Sequence, residues 1–214
     1  VFLETYGCQM NFADSEIVGS VLTKEGYEIV SAIDQADYVL INTCAIRDNA
    51  EQRIRKRLRE LRAVQSKHPN LRVGILGCMA ERLQQHLLEE EENVCFVVGP
   101  DSYRKLPHIL KQVSMGIRTT EVELSSDETY SDIIPIRYNG NGISAYISIM
   151  RGCQNFCSYC VVPYTRGRER SRSPQTILEE TESLVKMGYK EVTLLGQNVN
   201  SYKLDNVSFP ELIS

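Results

Sequence analysis

The sequence predicts an α/β protein built on a parallel sheet, and three observations carry that prediction. Over residues 1–122, short β-rich runs alternate with helical stretches at the spacing of strand–helix–strand units. Three cysteines (Cys8, Cys44 and Cys78) each follow directly on a strand-like run, at intervals of 36 and 34 residues. After a polar stretch containing two glycines and a proline, the pattern restarts with a strand, a cysteine-rich loop, a helix and a further strand.

In chain order, the expected strands of the first region are Val1–Tyr6, Tyr38–Asn42, Arg72–Leu76 and Val94–Val98. Helical patterns lie between and after them, near Asp14–Glu25, Asp48–Lys67, Ala80–Glu91 and Tyr103–Met115. Residues 123–142 read as a linker. Ser144–Ile149 is the next strand. Ser173-Pro174 supplies an N-cap with proline at the first helical position, Gly188 a helix stop, and Lys190–Leu195 another strand. The expected division is therefore 1–122, 123–142 and 143–214. Only 72 residues follow Gly142, too few to close a barrel, and Val1 already lies within a strand-like run. The chain is thus expected to be a piece of a longer one.

A formal net charge of −4 argues against a protein coated in positive charge, although a local basic stripe could still contact phosphates. No apolar run approaches the ~20 residues of a membrane helix, and no leader is visible, so a cytoplasmic protein without a membrane partner is expected. The seven cysteines are odd in number and widely scattered, which disfavours a disulfide framework. In a reducing compartment such thiols are small buried hydrophobes or metal ligands.

Cys153, Cys157 and Cys160 form a C-x-x-x-C-x-x-C loop. Structural zinc is the competing reading, but it wants four ligands, and no histidine follows His108. Three thiolates suit a [4Fe–4S] cube whose fourth iron has no protein ligand. At that open iron a substrate can coordinate, and S-adenosylmethionine (SAM) can chelate through its amino and carboxylate groups. The loop follows a strand, which puts it at the mouth of a barrel-like sheet, where ligands bind.

Cys8, Cys44 and Cys78 would emerge at one edge of a parallel sheet, the carboxyl ends of neighbouring strands, where open α/β sheets bind ligands. Burial as structural cysteines would need the same coincidence of location three times. It suffices for Cys95, which lies inside its strand. Gly7 and Gly77 would let backbone approach a bulky ligand. No G-x-G-x-x-G follows any strand, so a classical dinucleotide site is disfavoured. A second three-sulfur cluster is the reading that results.

With both cysteine sets in hand, the sequence resembles the radical SAM methylthiotransferases, and among them the MiaB-type branch that modifies tRNA. The resemblance rests on Thr5-Tyr-Gly-Cys-Gln-Met-Asn11 with Asp14-Ser-Glu16, on Asn42-Thr-Cys-Ala-Ile-Arg47, and on Gly77-Cys-Met-Ala-Glu-Arg82. Met150-Arg-Gly-Cys153, the run from Pro163 to Arg172, and Gly196-Gln-Asn-Val-Asn-Ser-Tyr202 extend it over nearly the whole chain. It implies an N-terminal methylthiotransferase domain followed by the first part of a radical SAM α/β barrel, with the rest of the barrel and an RNA-binding domain missing. It also implies two [4Fe–4S] clusters and SAM as cofactors. One SAM methylates a sulfur at the auxiliary cluster; a second is cleaved to a 5′-deoxyadenosyl radical that removes hydrogen from carbon-2 of adenine. The implied substrate is N(6)-isopentenyladenosine beside the anticodon of tRNA, in a single-stranded loop that can splay a base outward. An electron donor such as flavodoxin or ferredoxin and a sulfur source are implied as partners. Methylthiolation of threonylcarbamoyl-adenosine and a non-catalytic iron–sulfur or zinc scaffold are the rival readings.

Lesser features complete the reading. The resemblance implies that the Tyr159 backbone meets the adenine of SAM. Arg166, Arg168, Arg170 and Arg172 follow the cysteine loop, and their proximity favours contact with a phosphate or the SAM carboxylate over a solvated loop. The helix Arg53–Lys67 is amphipathic with a basic side, either wet or a tRNA backbone track. Glu89–Glu92 reads as a solvated acidic helix end, and His68, His86 and His108 receive no role.

Overall fold

The computed structural model describes residues 1–44, 48–138 and 142–214. Ala45–Arg47 of the second cysteine motif and residues 139–141 of the linker lie outside the described residues. Five parallel strands, β1 (Phe2–Tyr6), β2 (Tyr38–Thr43), β3 (Arg72–Gly77), β4 (Val94–Val98) and β5 (Thr119–Glu121), lie side by side in chain order. Between them run helices α1 (Gln9–Lys24), α2 (Asp48–Lys67), α3 (Cys78–Leu83), α4 (Gln85–Glu90) and α5 (Leu106–Ser114). The expected helix Ala80–Glu91 is thus two short helices, broken at Gln84, whose φ is +50°. β5 is too short and polar to announce itself in the sequence.

Alternate side chains of a strand face opposite sides, and here both sides are apolar, as a parallel sheet covered by helices requires. Leu40, Leu76 and Phe96 pack under α1 and α5 with Val18, Leu22 and Leu110. Val39, Ile41, Val73 and Ile75 pack under α2 and α4 with Leu58, Leu61 and Leu87. The 3.6-residue spacing of Ile54, Leu58 and Leu61, all buried, is what turns α2 toward the sheet.

The later residues build a smaller unit. β6 (Ser144–Ser148) pairs in parallel with β9 (Glu191–Leu195), and α7 (Pro174–Lys186) packs on them. Two short antiparallel strands, β7 (Met150–Arg151) and β8 (Arg170–Ser171), clasp the cysteine loop, with α6 (Val162–Arg166) between them. The two units touch extensively, chiefly through α1 against β6 and α3 against α6.

Residues 123–138 of the expected linker are partly packed on the first unit. Tyr130 is buried, stacks on Tyr103 at 5.8 Å, and donates its hydroxyl to the Pro100 carbonyl at 2.9 Å. Ser20 accepts the Ile136 amide and donates to the Ile134 carbonyl. These residues form a strap seated on α1 and beside α5 through Tyr130, Ile133 and Ile136, while Ile134 stays exposed.

Gly77 shows how local geometry constrains the fold. Its φ of +88° and ψ of −156° lie where side chains are disfavoured, and a Cβ there would stand 2.4 Å from Asn42 Oδ1 and 2.6 Å from the Thr43 carbonyl oxygen. Gly77→Ala should therefore lower stability by at least about 2 kcal/mol in urea titration; an unchanged midpoint would contradict this geometry.

Candidate iron–sulfur site

Register brings the first three cysteines together. Tyr6 pairs with Thr43, and Thr43 with Gly77, so the last residues of β1, β2 and β3 are direct neighbours. Neighbouring strands lie about 4.8 Å apart, and each chain turns off the sheet at the same edge. Cys8 caps the start of α1, Cys44 follows β2 directly, and Cys78 opens α3. All three line one cavity of about 270 Å³. Gly7, with φ +135°, comes so close to Cys44 that a Cβ would lie 2.7 Å from the cysteine's own.

Polar side chains hold this edge. Asn11 donates to Asn42 Oδ1 and to the Thr43 carbonyl, both at 3.1 Å, while Asn42 donates to the Asn11 carbonyl and to Ser15, both at 3.0 Å. Cys8 Sγ donates to Asn11 Oδ1 at 3.3 Å. The Cys8 thiol is drawn down to about 5, first by a hydrogen bond with Cys44, against burial, and then by the Asn11 and Met10 backbone and the Arg166 guanidinium. Two thiols in hydrogen-bond contact within a field that favours thiolate form a donor set for a soft metal.

The other wall of the cavity comes from the later residues: Val162, Thr165, Arg166, Leu195, Gly196 and Gln197. Among the described residues no three metal-ligating side chains close around a single ion. A cluster differs from an ion in this respect, since each thiolate binds a different iron and the sulfurs stay apart. The residues present fit such a group by sulfur chemistry, by the space between them, and by the surrounding positive charge.

That charge lies in a buried network joining the two units. Asp14, with no exposure, accepts from Arg151 at 2.7 Å and from Arg166 at 2.8 Å. Burial pushes the Asp14 carboxyl up, but the two guanidiniums outweigh it and hold it below the usual range. Asp101 takes Arg170 at 2.7 and 3.1 Å and lies 3.7 Å from Arg151. Arg137 joins Glu16 and Glu180, and Arg172 joins Glu180. The sequence reading sends the arginine run to a phosphate or the SAM carboxylate, with a solvated loop as its rival. The structure sets aside the solvated loop for three of its members: Arg166, Arg170 and Arg172 are buried ion-pair partners, and Arg166 faces Asp14 and Cys78. Arg168 is exposed.

Cys153, Cys157 and Cys160 sit on the irregular stretch between β7 and α6. The Cys153 amide donates to the Gly167 carbonyl at 3.1 Å, and the Cys160 amide to the Cys157 carbonyl at 2.9 Å. Cys153 is buried and Cys157 exposed, and the Tyr159 ring is 90% exposed, so the ring is not a packing residue. Cys95 is half-buried in β4 against the α1 and α5 side of the sheet, apart from both groups. On α2, Arg55, Arg57 and Arg62 are tied to glutamates, including Glu90 and Glu91. Glu89–Glu92 is thus partly an ion-pair partner rather than a solvated end, and the basic side of α2 is narrower than its sequence suggests.

Sequence reasoning missed Asn11, Asp14, Asn42 and Arg151. All four lie inside the motifs quoted above, but only the fold reveals their partners.

Residues 1–99 match the model described as uncharacterized protein family UPF0004, and residues 147–211 that of the radical SAM superfamily, which implies SAM and a [4Fe–4S] cluster. The chain is 58% identical over 203 residues to a protein of Amoebophilus asiaticus named tRNA-2-methylthio-N(6)-dimethylallyladenosine synthase, covering 95% of this chain and 42% of that one. A Bacteroides fragilis protein of the same name is 54% identical over 218 residues, covering 100% and 48%. The chain thus spans less than half the length of these relatives. In fold it is similar to the radical SAM methyltransferase TsrM of Kitasatospora setae, with a TM-score of 0.64 at 15% identity over 93% of this chain and 48% of that one.

Glu81 provides a test of the buried electrostatics. Its carboxyl is 5% exposed, Oε2 has no hydrogen-bond partner, and burial, then the charge of Asp101, push it up to about 7. A folded-state value raised from the ordinary 4.5 means that the native state holds the proton more tightly. The penalty is absent below pH 4.5 and complete above pH 7. At about 1.4 kcal/mol per pH unit it reaches about 3 kcal/mol. Glu81→Gln should raise Tm by several degrees at pH 8 and leave it nearly unchanged at pH 5; equal effects at both would contradict the reading.

Proposed function

We propose, for a chain that belongs to the radical SAM methylthiotransferase family, that its protein transfers a methylthio group to carbon-2 of N(6)-isopentenyladenosine in tRNA. The observation that carries the proposal is the cavity itself: three cysteines from three neighbouring strands face a wall supplied by the radical SAM segment. Cys8, Cys44 and Cys78 would hold an auxiliary [4Fe–4S] cluster, and Cys153, Cys157 and Cys160 the cluster that binds SAM. When bound, these groups would supply a radical able to take hydrogen from carbon and a sulfur to put in its place. The chain's own residues would orient them and keep water from the buried side. Tyr159 would meet the adenine of SAM through its backbone, and Arg168 is free to meet the SAM carboxylate or a phosphate.

The name of both relatives supports the isopentenyl (dimethylallyl) substrate over threonylcarbamoyl-adenosine. In this reading residues 1–122 are the auxiliary-cluster domain, 123–142 the linker, and 143–214 the start of the radical SAM domain. The protein would act in the cytoplasm on the anticodon loop, with an electron donor such as flavodoxin or ferredoxin and a separate sulfur source. No helix among the described residues is long and apolar enough to cross a membrane.

Two triple variants of the full-length protein test the division of labour. Changing Cys153, Cys157 and Cys160 to Ala should leave about half the iron and abolish formation of 5′-deoxyadenosine. Changing Cys8, Cys44 and Cys78 to Ala should keep that product and abolish methylthiolation, since C–S bond formation needs a placed sulfur. Methylthiolated tRNA from the second variant would contradict the proposal.

A further inference from the structure

Arg166 belongs to the radical SAM segment by sequence and to the three-cysteine cavity by position. Its guanidinium is 3% exposed, donates Nε to Cys78 Sγ at 3.2 Å, and gives Nη2 to Asp14 at 2.8 Å. Nη1 is buried and has no protein acceptor. A guanidinium with a whole nitrogen unspent, nine-tenths buried at the wall of a cavity, is expensive unless something anionic stands opposite. Three guanidiniums, those of Arg151, Arg166 and Arg170, face the carboxylates of Asp14 and Asp101, and of the three it is Arg166 that lies at the cysteine cavity.

We propose that Arg166 is a positioning residue for the three-cysteine site, donating a hydrogen bond to the Cys78 sulfur and balancing the negative charge of a cluster held there. The auxiliary site is then bipartite: the first segment supplies the sulfur ligands, and the second supplies the cation that makes the site electrostatically complete. Asp14 fixes the direction of the guanidinium by holding its far edge. A hydrogen bond and a positive charge at a ligand sulfur favour the reduced, more anionic cluster, so the arrangement raises its reduction potential. The inference rests on the reading that Cys8, Cys44 and Cys78 hold a cluster.

The test uses full-length protein in which Cys153, Cys157 and Cys160 are Ala, so that every cluster signal belongs to the auxiliary site. Arg166→Met should make one-electron reduction about tenfold less favourable, a shift of roughly 59 mV to more negative potential by EPR-monitored titration. Arg166→Lys, which keeps the charge but cannot span Asp14 and Cys78, should fall between. Should Arg166→Met not fold because Asp14 loses a partner, Asp14→Asn/Arg166→Met keeps the net charge, loses the hydrogen bond to Cys78, and should show a smaller shift in the same direction. In the parent protein labelled with ¹⁵N-arginine, which needs no variant at position 166, pulsed EPR of the reduced cluster should detect a ¹⁵N coupling. Iron present with an unchanged potential, or without that coupling, overturns the role of Arg166 alone. Absence of iron and sulfide in the parent overturns the cluster reading, and this inference with it.

Discussion

Asp14 lies at the junction of everything else in this chain. It sits on α1 with no exposure and takes one guanidinium from β7 and another from the end of α6. A buried carboxylate that loses its partners costs about 3–5 kcal/mol, so drawing the two units apart would strand a charge on one side and two on the other. Apolar contact alone would let α1 slide against β6, since Met10, Ala13, Leu195 and Tyr146 form only a small patch there. The ion pairs fix the register of the contact. That register is what lets Arg166 reach Cys78 and lets Leu195–Gln197 face the cysteines across the cavity.

On the other side of the cavity the constraint is backbone geometry. Parallel pairing aligns Tyr6, Thr43 and Gly77, and three chain segments then leave the sheet at one edge with a cysteine each. The Asn11–Asn42 clasp satisfies backbone and amide groups that burial would otherwise leave without partners. The site is therefore assembled from rigid parts: strand ends, a helix start, and a packed strap that holds Tyr130 against Tyr103 and Arg151. Rigidity of this kind is what positions reactive groups without further reorganisation.

Much of this was legible in the residues. Short β-rich runs between helical stretches locate β1–β4, and a cysteine at each of three strand ends points to one sheet edge. The packing of residues 123–138 is not legible in the sequence, because a polar stretch looks loose in one dimension, whereas Tyr130 and Ile136 find their seats only in three. The burial of the arginine run is not legible for a related reason: charge in sequence does not reveal burial, and the carboxylates that pair with Arg166 and Arg170 lie 152 and 69 residues away. Asp14 was visible within a motif, yet nothing local distinguishes a buried helical aspartate from a solvated one.

The central claim, that Asp14 couples the two units, is tested most directly by a double-mutant cycle in reversible denaturant unfolding. Asp14→Asn and Arg151→Met, singly and together, isolate the interaction across the junction. The account predicts a coupling of about 1–3 kcal/mol, with each single change clearly destabilising. Additive effects within about 0.3 kcal/mol would contradict it and would mean that the Asp14–Arg151 pair does not couple the two units.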